Sequence, residues 1–333
     1  MKLLEQAIAL VAQARAPKEP PRPAGPDISL DPLLERPLCP GCGNTRAKVV
    51  VEGRDTWVAD APEVGGRVFS VVRCEVCGLR YTTPRFRREH RHHAFAGGYP
   101  FYARARAAAT GRAPVDRALA RRPFEGRAAR LIAQHPLPGR LLDVGGGDGY
   151  FADLMRDHGW QVTMLDLEPD VVRHAKEQLH LDARTADVEV DPLPEGPFDA
   201  ISLWGVLQLL YQPRATLERL LPLLAPDGVL AIGVSNVRSV GLELFRGRWR
   251  GLGLPRHLTH FSPETLRRLL EFGGYQVQAI HTETPKWIVA GSIDDRLAPP
   301  ARMAARATLY PLAPLLGATR YADTFELYAG PGR

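Results

Sequence analysis

Cysteine is almost absent from this 333-residue chain: the four that occur fall between positions 39 and 77. A disulfide framework spanning the chain is thereby excluded. No run of 18 or more apolar residues exists, so no transmembrane helix is expected. No internal repeat is found, which excludes a solenoid. Lysine is missing from 80–130, yet that stretch carries thirteen arginines against three acids, Glu89, Asp116 and Glu125. Its net charge of +10 exceeds the +6 of the whole chain and leaves −4 for the remainder. Such asymmetry fits either a solvated helical face or a site for an acidic substrate or nucleic acid. At the N-terminus Glu5 and Gln6 interrupt the apolar stretch. A short amphipathic helix over 1–16 is expected there, not a signal peptide, and the protein is read as cytoplasmic.

The cysteines that are present form two knuckles, Cys39-Pro40-Gly41-Cys42-Gly43 and Cys74-Glu75-Val76-Cys77-Gly78. Each C-x-x-C-G turn aims two sulfurs at one point, and two such turns complete a tetrahedral Cys₄ site. The β-rich stretches 48–51 and 67–72 between them complete a zinc-ribbon pattern, with Cys39, Cys42, Cys74 and Cys77 as ligands to a structural Zn²⁺. A disulfide pair or a redox C-x-x-C are the alternatives.

A third pattern lies in Leu141-Leu142-Asp143-Val144-Gly145-Gly146-Gly147-Asp148-Gly149-Tyr150-Phe151. An apolar strand enters a turn in which glycines alternate, and a helix follows. Glycine accepts positive φ and lets a ligand lie against the backbone. The next apolar stretch, 162–167, ends in Asp166, placed to accept hydrogen bonds from a ribose. Strands at 140–144, 161–166, 183–186, 198–204, 229–235 and 276–281, and a last one at 324–329, alternate with helices at 150–158, 169–179, 213–224 and 263–272. Ser262 caps the last of these helices. This alternation predicts an α/β fold with a Rossmann-like, doubly wound, mostly parallel seven-stranded sheet. The expected organisation is a helix and Pro-rich linker over 1–37, a zinc-ribbon module over 38–84, an Arg-rich helical cap over 85–135 and a nucleotide-fold domain over 136–333.

The glycine turn with Asp143 ahead of it and Asp166 after it resembles the class I S-adenosylmethionine (SAM)-dependent methyltransferases. From about 39 to 282 the chain is similar to a bacterial subfamily with an N-terminal zinc ribbon. Further matches are Phe198-Asp199-Ala200-Ile201, Leu224-Ala225-Pro226-Asp227-Gly228-Val229-Leu230, Ser235-Asn236 and Pro255-Arg256-His257-Leu258-Thr259-His260-Phe261-Ser262. The resemblance implies that Asp143, Gly145, Gly147 and Gly149 line the methionine end of SAM. It implies that Asp166 holds the ribose, that Leu167 packs the adenine, and that Asp187 and Val188 serve the adenine edge. Trp204 is implied over the methyl-donor pocket, with a core aromatic as the alternative.

Many relatives carry V-L-E-H after the fourth strand. Here Gln208 and Leu209 stand where that Glu and His would be, so metal-assisted phenol O-methylation is disfavoured. His257 and His260 are then the candidate bases, with a structural hydrogen-bonding role as the alternative for one of them. His90, His92 and His93 form a lid, a metal site or scattered surface histidines. The acceptor implied is a small molecule, or one linked to a sugar or lipid, with an acidic acceptor among the alternatives. The other readings are an RNA methyltransferase whose ribbon and arginines grip phosphates, and a non-catalytic SAM-fold partner protein. Residues 298–318 are a substrate cover, a dimer surface or a membrane-surface patch.

Overall fold

The computed structural model describes residues 31–57, 64, 66–95, 116–293 and 299–332. The helix expected over 1–16, the linker up to residue 30 and the Arg-rich stretch 96–115 lie outside the described residues. Besides the short antiparallel pair Leu34–Glu35 and Arg85–Phe86, eleven strands among the described residues build the two larger sheets. They are β1 (Ala47–Gly53), β2 (Phe69–Cys74), β3 (Arg80–Thr83), β4 (Arg140–Val144), β5 (Gln161–Asp166) and β6 (Asp182–Thr185). After these come β7 (Phe198–Trp204), β8 (Leu224–Ser235), β9 (Thr259–His260), β10 (Tyr275–Glu283) and β11 (Thr324–Pro331).

The chain divides into two compact units. The first draws on Met1–Gly97, Ser235–Thr265 and His281–Phe325, the second on Gly98–Val234, Leu266–Ile280 and Glu326–Arg333. The boundaries expected after 37, 84 and 135 follow chain order, whereas these units are discontinuous.

The seven-stranded sheet runs β10-β11-β8-β7-β4-β5-β6. Its pairs β8–β7, β7–β4, β4–β5 and β5–β6 are parallel, as the α/β alternation requires. Leu141, Leu142, Ala200 and Ile201 are completely buried, which is why the central strands read as continuous apolar runs. Pro169 opens the helix Pro169–Leu179, where its missing N–H costs nothing, and His180 closes it in the left-handed region at φ 54°. The helix expected to reach 224 is α-helical only over Pro213–Leu220. β8 then begins at Leu224, five residues earlier than expected, and its register with β7 shifts between Leu224 and Val229. Pro226-Asp227-Gly228 sits in that shift, so this turn is a bulge within a strand rather than a stop before it.

Part of the arginine excess is spent inside the second unit. Asp116 caps the helix Arg117–Arg121 by accepting from the Ala118 and Leu119 N–H groups. Arg117 and Arg121 each donate through Nε, at 2.6 Å, to Asp153, which is fully buried on the helix Tyr150–Asp157. Arg130 makes a two-pronged bond at 2.7 Å to Glu326 on β11. Burying these carboxylates without such partners would cost several kcal/mol each. The described part of the Arg-rich segment therefore works largely as a structural clasp.

The first unit contains the ribbon sheet, ordered β9-β3-β2-β1. β9 is a member that sequence pattern missed, since a two-residue strand has no alternation to detect. It pairs antiparallel with β3 through Thr259 with Tyr81 and His260 with Arg80. Phe69, Val71, Phe86, Leu252, Leu254 and Trp249 pack in one apolar cluster with Val237 and Ile288. Arg256, 2% exposed, donates at 3.0 and 2.7 Å to the two oxygens of Asp55. Residues 299–309 form a helix that packs Ala305 and Leu309 on Val289 and Ile293.

Candidate functional site

The glycine turn leaves β4 and enters the helix Tyr150–Asp157. Gly145, Gly147 and Gly149 adopt φ of 67°, 58° and 78°. This is the left-handed region, costly for residues with a Cβ. A Cβ on Gly147 would meet nothing within 4 Å, so the turn presents bare backbone to open space. One on Gly145 would lie 2.3 Å from Val206. The alternation thus serves two ends, close packing at 145 and an open cradle at 147.

Asp143 is the penultimate residue of β4 and is 1% exposed. Its Oδ1 accepts a hydrogen bond from the Ser202 hydroxyl at 2.6 Å, while its Oδ2 is buried with no partner. Burial pushes its pKa up to about 7; Asp166 and Asp148 add to the rise, and the Ser202 hydrogen bond and Arg127 oppose it. A buried carboxylate oxygen left without a donor is expensive, and its natural complement is a cation. Asp166, 2% exposed, accepts from the Gly147 N–H at 2.9 Å and the Glu168 N–H at 3.0 Å. Burial raises its pKa to about 6 against those backbone bonds. The acid at the end of β5 therefore also braces the glycine turn.

Leu167, next in the chain, is 37% exposed at the end of a buried strand. An apolar side chain left open there suits a planar apolar ligand. Asp187 accepts from the Glu189 N–H at 3.0 Å in a turn after β6, and Val188 beside it is buried. Trp204 ends β7 in edge contact with Phe151, ring centroids 5.4 Å apart, and its Nε1 is buried without a partner. Arg127 lies 5.3 Å above the Trp204 ring. Sequence reading missed both Arg127 and Ser202, because no spacing rule links either one to Asp143. Gln208 is buried and Leu209 half-buried in the short turn after β7.

His257 and His260 fall in the first unit, with the ribbon, and not in the unit of the glycine turn. They are 6% and 3% exposed. His257 Nδ1 lies 3.2 Å from the Gly251 carbonyl, and His260 Nε2 lies 2.9 Å from the Thr82 hydroxyl. Burial lowers the His257 pKa to about 4 and takes that of His260 well below its ordinary value. His90, His92 and His93 have ring centroids 4.1 to 6.4 Å apart. Among the described residues their nitrogens do not gather as closely as the four cysteine sulfurs do.

Those sulfurs lie within 4.8 Å of one another, with Cys39–Cys77 at 3.5 Å and Cys42–Cys74 at 3.6 Å. These separations are far beyond a disulfide bond. They approach the ~3.8 Å sulfur spacing of a tetrahedron with metal–sulfur bonds of about 2.3 Å. Gly43 and Gly78 close the knuckles at φ 72° and 76°, and their N–H groups return to the Cys39 and Cys74 carbonyls. Four thiols with no fifth open position suit a structural ion. Among the described residues no helix is long and apolar enough to cross a membrane.

Residues 115–280 match a methyltransferase domain family. A ubiquinone biosynthesis O-methyltransferase from Xanthomonas campestris pv. campestris is 36% identical over 164 residues, covering 45% of this chain and 68% of that protein. A malonyl-(acyl-carrier protein) O-methyltransferase from Serratia marcescens is 33% identical over 129 residues, covering 38% of this chain and 49% of that protein. A tRNA 5-carboxymethoxyuridine methyltransferase from Escherichia coli is 31% identical over 120 residues, covering 33% of this chain and 46% of that protein. The chain thus spans about half the length of the last two relatives. Its sheet order, left-handed glycine turn and buried acids agree with these matches, and the chain belongs to the class I SAM-dependent methyltransferases.

Proposed function

We propose that this protein transfers a methyl group from SAM to a small-molecule, sugar-linked or lipid-linked acceptor. The observation that carries the reading is the unpartnered, buried Oδ2 of Asp143 beside a glycine turn whose backbone is open at Gly147. In this reading Asp143 faces the cationic amino-acid end of SAM, and Gly145, Gly147 and Gly149 let it lie against the backbone. Asp166 holds the ribose hydroxyls, Leu167 covers the adenine, and Asp187 and Val188 border its edge. Trp204 closes the methyl side. SAM, when bound, supplies an electrophilic methyl group on a sulfonium, which an in-line nucleophile displaces.

The chain's part is positioning and exclusion of water, which account for much of the barrier lowering in such displacements. Gln208 and Leu209 offer no general base. The names of the relatives span ubiquinone biosynthesis, a malonyl carrier protein and a tRNA, so acceptor class rests on this chain's own groups. A site without a base favours an acceptor atom already nucleophilic near neutral pH. Zinc at Cys39, Cys42, Cys74 and Cys77 is proposed as a structural ion of the ribbon.

Gly147→Val tests the cofactor site. A branched side chain at φ 58° is strained and fills the open cradle. SAM affinity by calorimetry should fall at least about tenfold, or about 1.4 kcal/mol. Equal affinity in wild type and variant would remove the turn from the SAM site.

The two histidines test the base. A buried imidazole whose pKa burial holds well below its ordinary value stays neutral across the working range and is a weak proton acceptor. We therefore expect His257→Ala and His260→Ala to lower the melting temperature, since Thr82 and the Gly251 carbonyl lose partners. Turnover per folded molecule should change less than about threefold, with no new limb near pH 6–7. A loss of ~10²-fold in turnover with SAM affinity intact would instead make that residue the base.

A further inference from the structure

One row of residues crosses all four strands of the ribbon sheet. Lys48 on β1 lies opposite Arg73 on β2, Arg73 opposite Arg80 on β3, and Arg80 opposite His260 on β9. Residues opposite each other in an antiparallel pair share a face, and like charges so placed destabilise the pair. Lys48 has a compensating carboxylate in Glu75, and Arg73 and Arg80, side by side, need an anion of their own.

The nearby carboxylates are already engaged. Glu75 lies 2.8 Å from Lys48, Glu264 lies 2.9 Å from Arg238, and Glu243 lies 3.5 Å from Arg246. Arg80 is half-buried and gives one N–H to the Val237 carbonyl at 3.0 Å. Burial lowers its pKa, and Arg73 and Arg238 lower it further against the opposing pull of Glu243. Arg73 is exposed, and its side chain makes no ion pair or hydrogen bond among the described residues. Two adjacent guanidinium groups thus stand without a carboxylate at bonding distance.

We propose that Arg73 and Arg80 form a subsite for a phosphate group of a ligand. Opposite residues have Cβ atoms about 5 Å apart, close enough for two guanidinium forks to close on one phosphate or on neighbouring phosphates. Planar forks match phosphate oxygens two at a time, which a lysine pair would not. Cys74 points to the other face of β2, since side chains alternate along a strand. The subsite is therefore distinct from the cysteine centre, and it is independent of the methyl-transfer reading.

Calorimetric titration of the full-length, zinc-loaded protein with inorganic pyrophosphate tests the proposal. Saturable binding is expected. Arg73→Gln and Arg80→Gln should each weaken it at least about tenfold, and Arg73→Lys should also weaken it, because one bidentate fork is lost. Arg267→Gln, an exposed arginine beside Glu271, should leave it unchanged. Arg73 is exposed, so its variants keep the test open if Arg80→Gln fails to fold. A nucleoside diphosphate that binds more tightly than pyrophosphate, and loses affinity equally in Arg73→Gln, would identify a nucleotide as the source of the phosphates. Absence of saturable binding, or equal affinity in Arg73→Gln and Arg267→Gln, would overturn the subsite. So would loss of zinc in Arg73→Gln with pyrophosphate affinity intact, because the row would then balance the thiolates.

Discussion

Asp143→Asn is expected to weaken SAM binding about a hundredfold at pH 7.5 and to flatten its pH dependence. The carboxylate is buried, one oxygen satisfied by Ser202 and the other bare. Its pKa of about 7 means that near neutrality the free site is divided between protonated and ionised forms. A cationic ligand selects the ionised form. Affinity must therefore rise with pH, by about eightfold between roughly pH 6 and 7.5, while an α-amino group with its usual pKa near 8 stays mostly protonated. An amide at this position has no such transition. A hundredfold loss is about 2.7 kcal/mol, within the range for a charge-assisted bond whose partner is left buried.

Stability should move the other way. An acid whose folded pKa lies above its unfolded value destabilises the fold as pH rises from about 4 through about 7. Asp143→Asn should then raise the melting temperature of the free protein at pH 7.5, which also shows that the variant folds. Calorimetry at three pH values reads the binding arm. Wild-type affinity that stays flat or falls with pH, or an Asn variant that binds as tightly, would take Asp143 out of contact with the cation.

The parts legible in the sequence were those set by short-range constraints. The apolar runs at 140–144, 161–166 and 198–204 became parallel central strands within a residue of expectation, because a strand buried on both faces has few alternatives. The glycines at 145, 147 and 149 took positive φ for the same local reason. Each C-x-x-C turn is closed by its own glycine, and the pairing of β1 with β2, Ala47 opposite Cys74, brings the two turns together. Long-range pairing was not legible. Nothing in Thr259-His260 announces a fourth ribbon strand, and nothing in 235–265 announces that it packs with the ribbon. That burial sets His257 beside the Gly251 carbonyl and His260 beside the Thr82 hydroxyl, contacts that the sequence pattern does not announce. Ser202 bonds to Asp143 and Arg127 adds its field there from other elements, and only the fold brings them together.

Removing any ligand of the four-cysteine centre is expected to abolish zinc binding and to unfold the ribbon sheet selectively. Four sulfurs within 4.8 Å leave no room for a lost partner to be replaced. Burial raises the Cys39 and Cys77 thiols. At Cys74 burial acts the same way, but the backbone N–H groups of Cys77 and Val76 and the Cys42 thiol bring it down to about 7. Without an ion, the Cys39 and Cys77 thiols stay protonated and the knuckles have little to hold them. With one, thiolate coordination contributes on the order of 10 kcal/mol to folding in small sites. The apolar cluster around Phe69 and Trp249 offsets part of that loss, so the unit should loosen rather than vanish. Metal analysis should return one zinc per chain for the wild type and none for Cys74→Ser or Cys39→Ser. Hydrogen exchange should show β1, β2 and β3 losing protection in those variants. β4, β5 and β7 should keep theirs, and SAM affinity should stay within about threefold of wild type. Protein purified without chelator that contains no zinc, or a Cys74→Ser variant with zinc and ribbon protection intact, would show that the four cysteines are not a metal centre.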